Sequence, residues 1–128
     1  MSSNPAGGLK AFFNAVMADR ATAITDRQFA AGLTYTGPFS WRPNDDISFA
    51  AGATHVNNRI AQVEMLQNAL GLGPVGVQRT EYVFEWYYTA VPALGLLVRP
   101  NLQYVITPGG TSANKNAIVL GLKTLVSF

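Results

Sequence analysis

The 128-residue chain is long enough for one modest domain, and it contains no cysteine. Disulfide bonds and thiolate metal sites are therefore excluded. Only 12% of the residues are charged, about half the share of ordinary globular domains, whereas 48% are hydrophobic. The net charge of +2 is too small to indicate nucleic acid as a partner.

No run of about 18 apolar residues is present, which excludes a membrane-spanning helix. The N-terminal sequence MSSNPAGG has no basic segment followed by an apolar core, so it does not have the pattern of a secretory signal peptide. We therefore expect either a cytoplasmic protein or a segment of a longer protein whose signal lies upstream.

Period-two alternation predicts three strands in the first half of the chain. They lie near residues 8–17, 27–36 and 46–56. Phe13, Phe29 and Phe49 belong to their apolar faces, whereas Lys10 and Gln28 belong to the opposite, mixed face. After the second strand, the stretch GPFSWRPNDD is dense in Pro, Gly, Asn and Asp, which indicates a turn.

The second half of the chain begins with a helix and continues with three strands. In RIAQVEMLQNAL the apolar residues recur at helical spacing, which predicts a short helix near 60–70 that closes at Gly71. The three strands are predicted near residues 79–90, 95–106 and 116–128. The sequence PALG separates the first two, and the loop TPGGTSANKN separates the last two.

The strands have the length and the surroundings of membrane-crossing strands. They are about ten residues long, which exceeds the usual five or six and suits a tilted strand in a bilayer. Short turns alternate with long connections, and the fourth strand collects aromatic residues on one face, as an interfacial girdle requires. A soluble β-barrel or sandwich that binds a small molecule would show the same alternation with its apolar face inside. From the residues alone, both architectures remain open.

Four segments in a fixed order carry a more specific signal. RPNLQYVITPGG is followed by AIVLGLKTLVSF at the C-terminus, and both come after GLTYTGPFSWRPND and EYVFEWYY. Together these segments resemble the C-terminal portion of the carbohydrate-selective outer-membrane porins, the OprB-like family. The resemblance runs from about Lys10 to Phe128. It implies an all-β fold, in which about six strands form a segment of an antiparallel up-and-down transmembrane barrel of roughly sixteen strands.

The resemblance also implies a function and a set of partners. The chain would be the C-terminal part of a bacterial outer-membrane porin for passive diffusion of carbohydrates, and not an enzyme. Its partners would be outer-membrane lipid, neutral sugars and the barrel-assembly machinery, which would read a signal ending in Phe128. Six strands cannot enclose a solute path, so the remaining barrel strands or other copies of the chain would have to close the barrel.

Orientation follows from the resemblance, because porin chains end in the periplasm. The connections at 18–26, 57–78 and 108–116 are expected to be external, and those at 37–45 and 91–95 periplasmic. The residues expected to face lipid include Phe84, Trp86, Leu102, Leu120 and Leu122.

Polar residues on the opposite face are the candidate pore-lining and sugar-contacting residues. They are Glu81, Glu85, Arg99, Asn101, Gln103, Lys123, Lys10 and Gln28. Hairpins centred near residues 93 and 111 would place Glu85 opposite Asn101 and diagonal to Arg99, with Arg99 opposite Lys123. Glu85 would then be the counter-charge of the two cations.

Other chemistry is not indicated by the sequence. The carboxylates of Glu81 and Glu85 would lie about 13 Å apart on a strand, which is too far for a glycosidase pair. His55 is the only histidine and is expected to be solvated, while Asp45 and Asp46 are expected to bond nearby backbone in a turn rather than a metal. The segment GLGPVG lacks the Lys-Ser/Thr of a phosphate loop, so no cofactor is expected.

Overall fold

The computed structural model describes residues 7–128, which form one antiparallel sheet of six strands in sequence order. The strands are β1 Gly8–Met17, β2 Thr25–Thr36, β3 Asp46–Val56, β4 Thr80–Ala93, β5 Leu96–Ile106 and β6 Ala117–Val126. One helix, α1 Asn58–Ala69, lies between β3 and β4, and a 3-10 turn, Pro108–Gly110, lies between β5 and β6. The prediction of an all-β fold with about six antiparallel, up-and-down strands is thus confirmed, and the sheet is open.

The two faces of the sheet differ in the way that alternation requires. The register aligns apolar side chains across all six strands into continuous rows. One such row contains Ala11, Leu33, Phe49, Trp86, Leu102 and Leu120. We call this side of the sheet the apolar face, and the opposite side the polar wall.

The apolar face is largely exposed in the isolated chain. Phe13, Leu120 and Leu122 each keep more than 70% of their surface accessible. Within residues 7–128, the only buried hydrophobic residues are Val56 and Ala61. A soluble domain would bury such a face against a second layer, so this arrangement opposes the soluble-module alternative.

No helix in residues 7–128 has the length and hydrophobicity needed to cross a membrane.

The connections are long at one end of the sheet and short at the other. The long ones, at 18–24, 57–79 and 107–116, form the loop end; the short ones, at 37–45 and 94–95, form the turn end. Helix α1 begins at Asn58 because the side chain of Asn57 accepts a hydrogen bond from the backbone N–H of Arg59, at 3.1 Å.

The β4–β5 turn is tighter than the sequence indicates, and this changes the register. β4 continues through Pro92 and Ala93, leaving only Leu94 and Gly95 in the turn. Gly95 has a φ of 78°, a left-handed conformation that glycine adopts without steric cost.

The predicted pairing of Glu85 with Asn101 is therefore wrong. Glu85 faces Gln103, and Asn101 faces Tyr87, so the two strands are displaced by two residues from the predicted register. The displacement keeps every side chain on its face but changes its neighbours, and it moves Glu85 away from Arg99. In the next hairpin, Arg99 does lie opposite Lys123, as predicted.

Candidate functional site

The polar wall is the candidate functional site. Strand parity and register place all eight sequence-predicted residues on this side, although they spread from the turn end to the loop end. The wall also contains residues that the sequence analysis did not name as candidates. Those with polar contacts are Thr34, Thr36, Asp46, Ser48, Tyr87 and Thr89.

Arg99 is held near the turn end by two neighbours on β4. Its Nε donates to the hydroxyl of the buried Thr89 at 2.8 Å. Its guanidinium carbon lies 4.8 Å from the centre of the Tyr87 ring, a cation–π arrangement. Thr89 and Tyr87 could have been recognised from parity alone, since Tyr87 lies two and Thr89 four residues from Glu85 along β4, and both therefore share its face.

Glu85 has a different partner from the one expected. The amide of Gln103 donates a hydrogen bond to its carboxylate, across the β4–β5 pair. This contact joins two of the predicted wall residues, and it uses Glu85 as an acceptor from a neutral group. Arg99 and Lys123 make no salt bridge within residues 7–128.

Two glycines let wall side chains lie flat against the sheet. The ring of Phe12 covers Gly32, and the amide of Asn101 covers Gly121. A Cβ atom at either glycine would collide with the covering side chain. Glycine at these positions therefore sets the orientation of a neighbouring side chain on the wall.

Near the loop end, Glu81, the second acidic candidate on the wall, contacts backbone. The carboxylate of Glu81 accepts the N–H of Gly109 at 2.7 Å, which ties β4 to the 3-10 turn. Lys10 and Gln28 make no side-chain hydrogen bond within the described part of the chain.

His55 is not simply solvated, contrary to the expectation. Its Nδ1 lies 2.6 Å from a carboxylate oxygen of Asp26, whose side chain is only 2% exposed. Arg20 and Arg27 approach the same carboxylate at 3.6 and 3.8 Å. The sequence carries no signal for this cluster, because Asp26 and His55 are 29 residues apart.

Asp45 also departs from its expected role. It is 1% exposed and accepts three hydrogen bonds: from Arg42 Nε at 2.7 Å, from the N–H of Val91 at 2.9 Å, and from the hydroxyl of Tyr88. Instead of bonding nearby backbone, Asp45 joins the β2–β3 turn to the neighbouring strand β4. The spacing of Arg42 and Asp45 in RPND was the one local signal for this contact.

The pKa values of this turn follow from those contacts. Burial raises the pKa of Asp45, but the hydrogen bonds from Tyr88, Val91 and Arg42 outweigh burial, so the net pKa lies below its ordinary value. The same carboxylate raises the pKa of Arg42 through its hydrogen bond. The pair is therefore charged at neutral pH.

Phe128 lies beyond the last strand. β6 ends at Val126, the N–H of Ser127 donates to the carbonyl of Gly95 at 2.7 Å, and the Phe128 side chain is fully exposed. No group of three His, Cys, Asp or Glu residues suited to a metal ion occurs within residues 7–128.

Comparison with known proteins identifies the family. The model of the family described as carbohydrate-selective porin, OprB family, matches residues 1–128. The chain belongs to the OprB porin family. Its place is accordingly the bacterial outer membrane.

Named relatives and a solved structure support this family assignment. Porin B of Pseudomonas aeruginosa is 38% identical over 94% of the chain, and the putative porin QuiX of Acinetobacter baylyi is 32% identical over 99%. The high-pH structure of OprB from Pseudomonas putida matches 95% of the chain with a TM-score of 0.90 at 42% identity. The chain spans only 28%, 31% and 31% of these three proteins, respectively, as expected for one portion of an OprB barrel.

Proposed function

We propose that the six strands form part of the wall of a water-filled channel through which carbohydrates diffuse passively across the outer membrane. The observation that carries this proposal is the two-faced sheet of an OprB-family chain: an exposed apolar face backs a wall of hydrogen-bonding side chains. In this role the apolar face contacts outer-membrane lipid, and the wall contacts water and solute.

The chemistry of the wall suits neutral, polyhydroxylated solutes. Amide, carboxylate and guanidinium groups of Gln103, Glu85 and Arg99 exchange hydrogen bonds with hydroxyl groups and replace part of the hydration shell of a sugar. Several weak contacts spaced along the wall let a solute enter and leave. No step of this transport breaks a covalent bond, and the protein acts as a channel rather than as an enzyme.

The channel needs more strands than this chain supplies. β1 and β6 have no strand partner on their outer sides within residues 7–128. In lipid each unpaired backbone group costs several kcal/mol, and a barrel of about eight strands is just filled by side chains. We infer that the sheet closes with further strands of an OprB barrel, roughly sixteen in all, or with other copies. Phe128, exposed after β6, would serve as the end of the signal for barrel assembly.

Cysteine labelling on the two faces tests the channel role. The chain has no native cysteine, and Ala50 and Ala51 are adjacent residues of β3 that point to the polar wall and to the apolar face. In a complete barrel otherwise free of cysteine, a bulky water-soluble thiol reagent should react with Ala50→Cys after assembly. The label should then reduce the uptake of glucose into proteoliposomes.

Ala51→Cys is the matched control, because it should stay unreactive in lipid and leave glucose uptake unchanged. Equal labelling of both variants, or labelling of Ala50→Cys without any loss of uptake, would contradict the proposal that this face lines the path.

A further inference from the structure

Two cations lie side by side on the polar wall near the turn end. Arg99 of β5 is directly opposite Lys123 of β6, a position in which Cβ atoms are about 5 Å apart. Lys123 is exposed and makes no hydrogen bond or salt bridge within residues 7–128. Like charges at directly opposed positions repel, so this pairing is unfavourable unless an anion joins it.

The carboxylates of the wall are engaged elsewhere. Glu85 accepts a hydrogen bond from Gln103, which lies four residues along β5 from Arg99. Asp46 accepts a hydrogen bond from Thr36 at 2.6 Å. Within residues 7–128, neither carboxylate forms a salt bridge with Arg99 or Lys123, so the charges of the cation pair remain available to a solute.

The neighbours of Arg99 hold its guanidinium group in place but leave its terminal nitrogens available for a ligand. Its Nε donates to Thr89, and its guanidinium carbon lies 4.8 Å from the centre of the Tyr87 ring. The two terminal nitrogens have no protein acceptor within the described residues, and their fork matches the two oxygens of a carboxylate. Asn101, two residues along β5 from Arg99 and on the same face, offers an amide for a hydroxyl group.

We propose that Arg99 and Lys123 form a subsite on the channel wall for sugar acids, that is, polyhydroxylated solutes that carry a carboxylate. The carboxylate binds between the guanidinium and the ammonium group, and the hydroxyl groups of the solute meet Asn101. This inference rests on the proposed channel function and specifies a class of solute that the channel favours.

The test compares gluconate with glucose in proteoliposomes that contain the complete barrel. These probes have the same carbon number, and only gluconate carries a negative charge, so the ratio of their permeabilities reports the subsite. In the double variant Arg99→Gln/Lys123→Gln, the ratio of gluconate to glucose should fall by at least about threefold, the order expected for losing solvent-screened charge contacts at a few ångströms. Arg99→Lys, which keeps the charge but not the fork, should retain part of the preference.

Arg79→Gln/Lys115→Gln is the matched control, because it also removes one arginine and one lysine charge, from exposed positions in two connections at the loop end. It should leave the permeability ratio unchanged. A ratio that is unaffected in the double variant while glucose still passes would overturn the subsite alone. An equal fall in Arg79→Gln/Lys115→Gln would assign the preference to the overall charge of the barrel and overturn the subsite as well. If neither probe passes, both the channel function and the subsite are wrong.

Discussion

Asp45 shows how a single buried carboxylate can join two parts of a sheet that has no core of its own. Its three donors come from its own turn and from β4, and no other acidic residue at the turn end collects as many. The residue therefore fixes the position of the β2–β3 turn relative to the neighbouring hairpin.

Replacing Asp45 with Ala should destabilise the assembled barrel. The change leaves the N–H of Val91, the hydroxyl of Tyr88 and the guanidinium of Arg42 without their acceptor, which costs on the order of 1–3 kcal/mol. Thermal unfolding in detergent measures the effect. Lys115→Ala, in the exposed loop before β6, is the control and should stay within about 0.5 kcal/mol of the parent protein.

The depressed pKa of Asp45 predicts the direction in which the stability of the protein changes with pH. Because the folded-state pKa of Asp45 is depressed, its contribution to stability is complete above the unfolded-state pKa of about 3.9 and is lost as pH falls through the lower folded-state value. Between the parent protein and Asp45→Ala, the stability difference should be constant at neutral pH and shrink only in strong acid. A difference that shrinks already near pH 6 would rule out this carboxylate as the cause.

At the scale of elements, β6 presents its two faces to different surroundings. Leu120 lies in the apolar row with Leu102 and Trp86 and is 78% exposed, whereas its neighbour Val119 lies opposite Gln103 on the polar wall. Substitutions on the two faces of β6 therefore test directly which side of the sheet contacts lipid.

An arginine at Leu120 should impair assembly far more than one at Val119. A cation on the lipid side near the bilayer midplane costs roughly 2–4 kcal/mol, whereas the wall side remains in water. The measure is the fraction of barrel that resists unfolding in detergent at room temperature. Similar assembled fractions for Leu120→Arg and Val119→Arg would mean that the faces are assigned incorrectly.

The elements also show what a sequence does and does not specify. Alternation predicted the side on which Glu85, Arg99 and Leu120 lie, because parity along a strand is unaffected by turn length. The pairing partners of a strand depend on where the turn begins. The sequence PALG indicated a turn, but its first two residues, Pro92 and Ala93, continue β4. The contacts of Asp26 with His55 and of Asp45 with Val91 join distant residues, so no local pattern could predict them.

At the scale of the whole molecule, the unequal ends of the sheet predict its orientation. Long connections belong outside the cell and short ones in the periplasm of an outer-membrane barrel. The loop end includes the exposed Ser112, and the turn end includes Leu94, which is fully exposed.

Single cysteines at these two positions should therefore differ in their reactivity on intact cells. Ser112→Cys should react with an impermeant maleimide, whereas Leu94→Cys should react only after the outer membrane is opened. Total labelling in lysed cells is the control for expression. Labelling of Leu94→Cys alone on intact cells would reverse the orientation.

The sequential strand order has a further consequence for how such a barrel changes over evolutionary time. Within residues 7–128, each strand pairs only with the strands next to it in sequence, so energetic coupling extends little beyond one hairpin. As in repeat proteins, stability is then close to a sum over neighbouring units. Two consecutive strands can be duplicated, deleted or exchanged between related porins while the others keep their partners, provided that the ring closes again. Channel diameter and wall chemistry can thus diverge independently, one hairpin at a time.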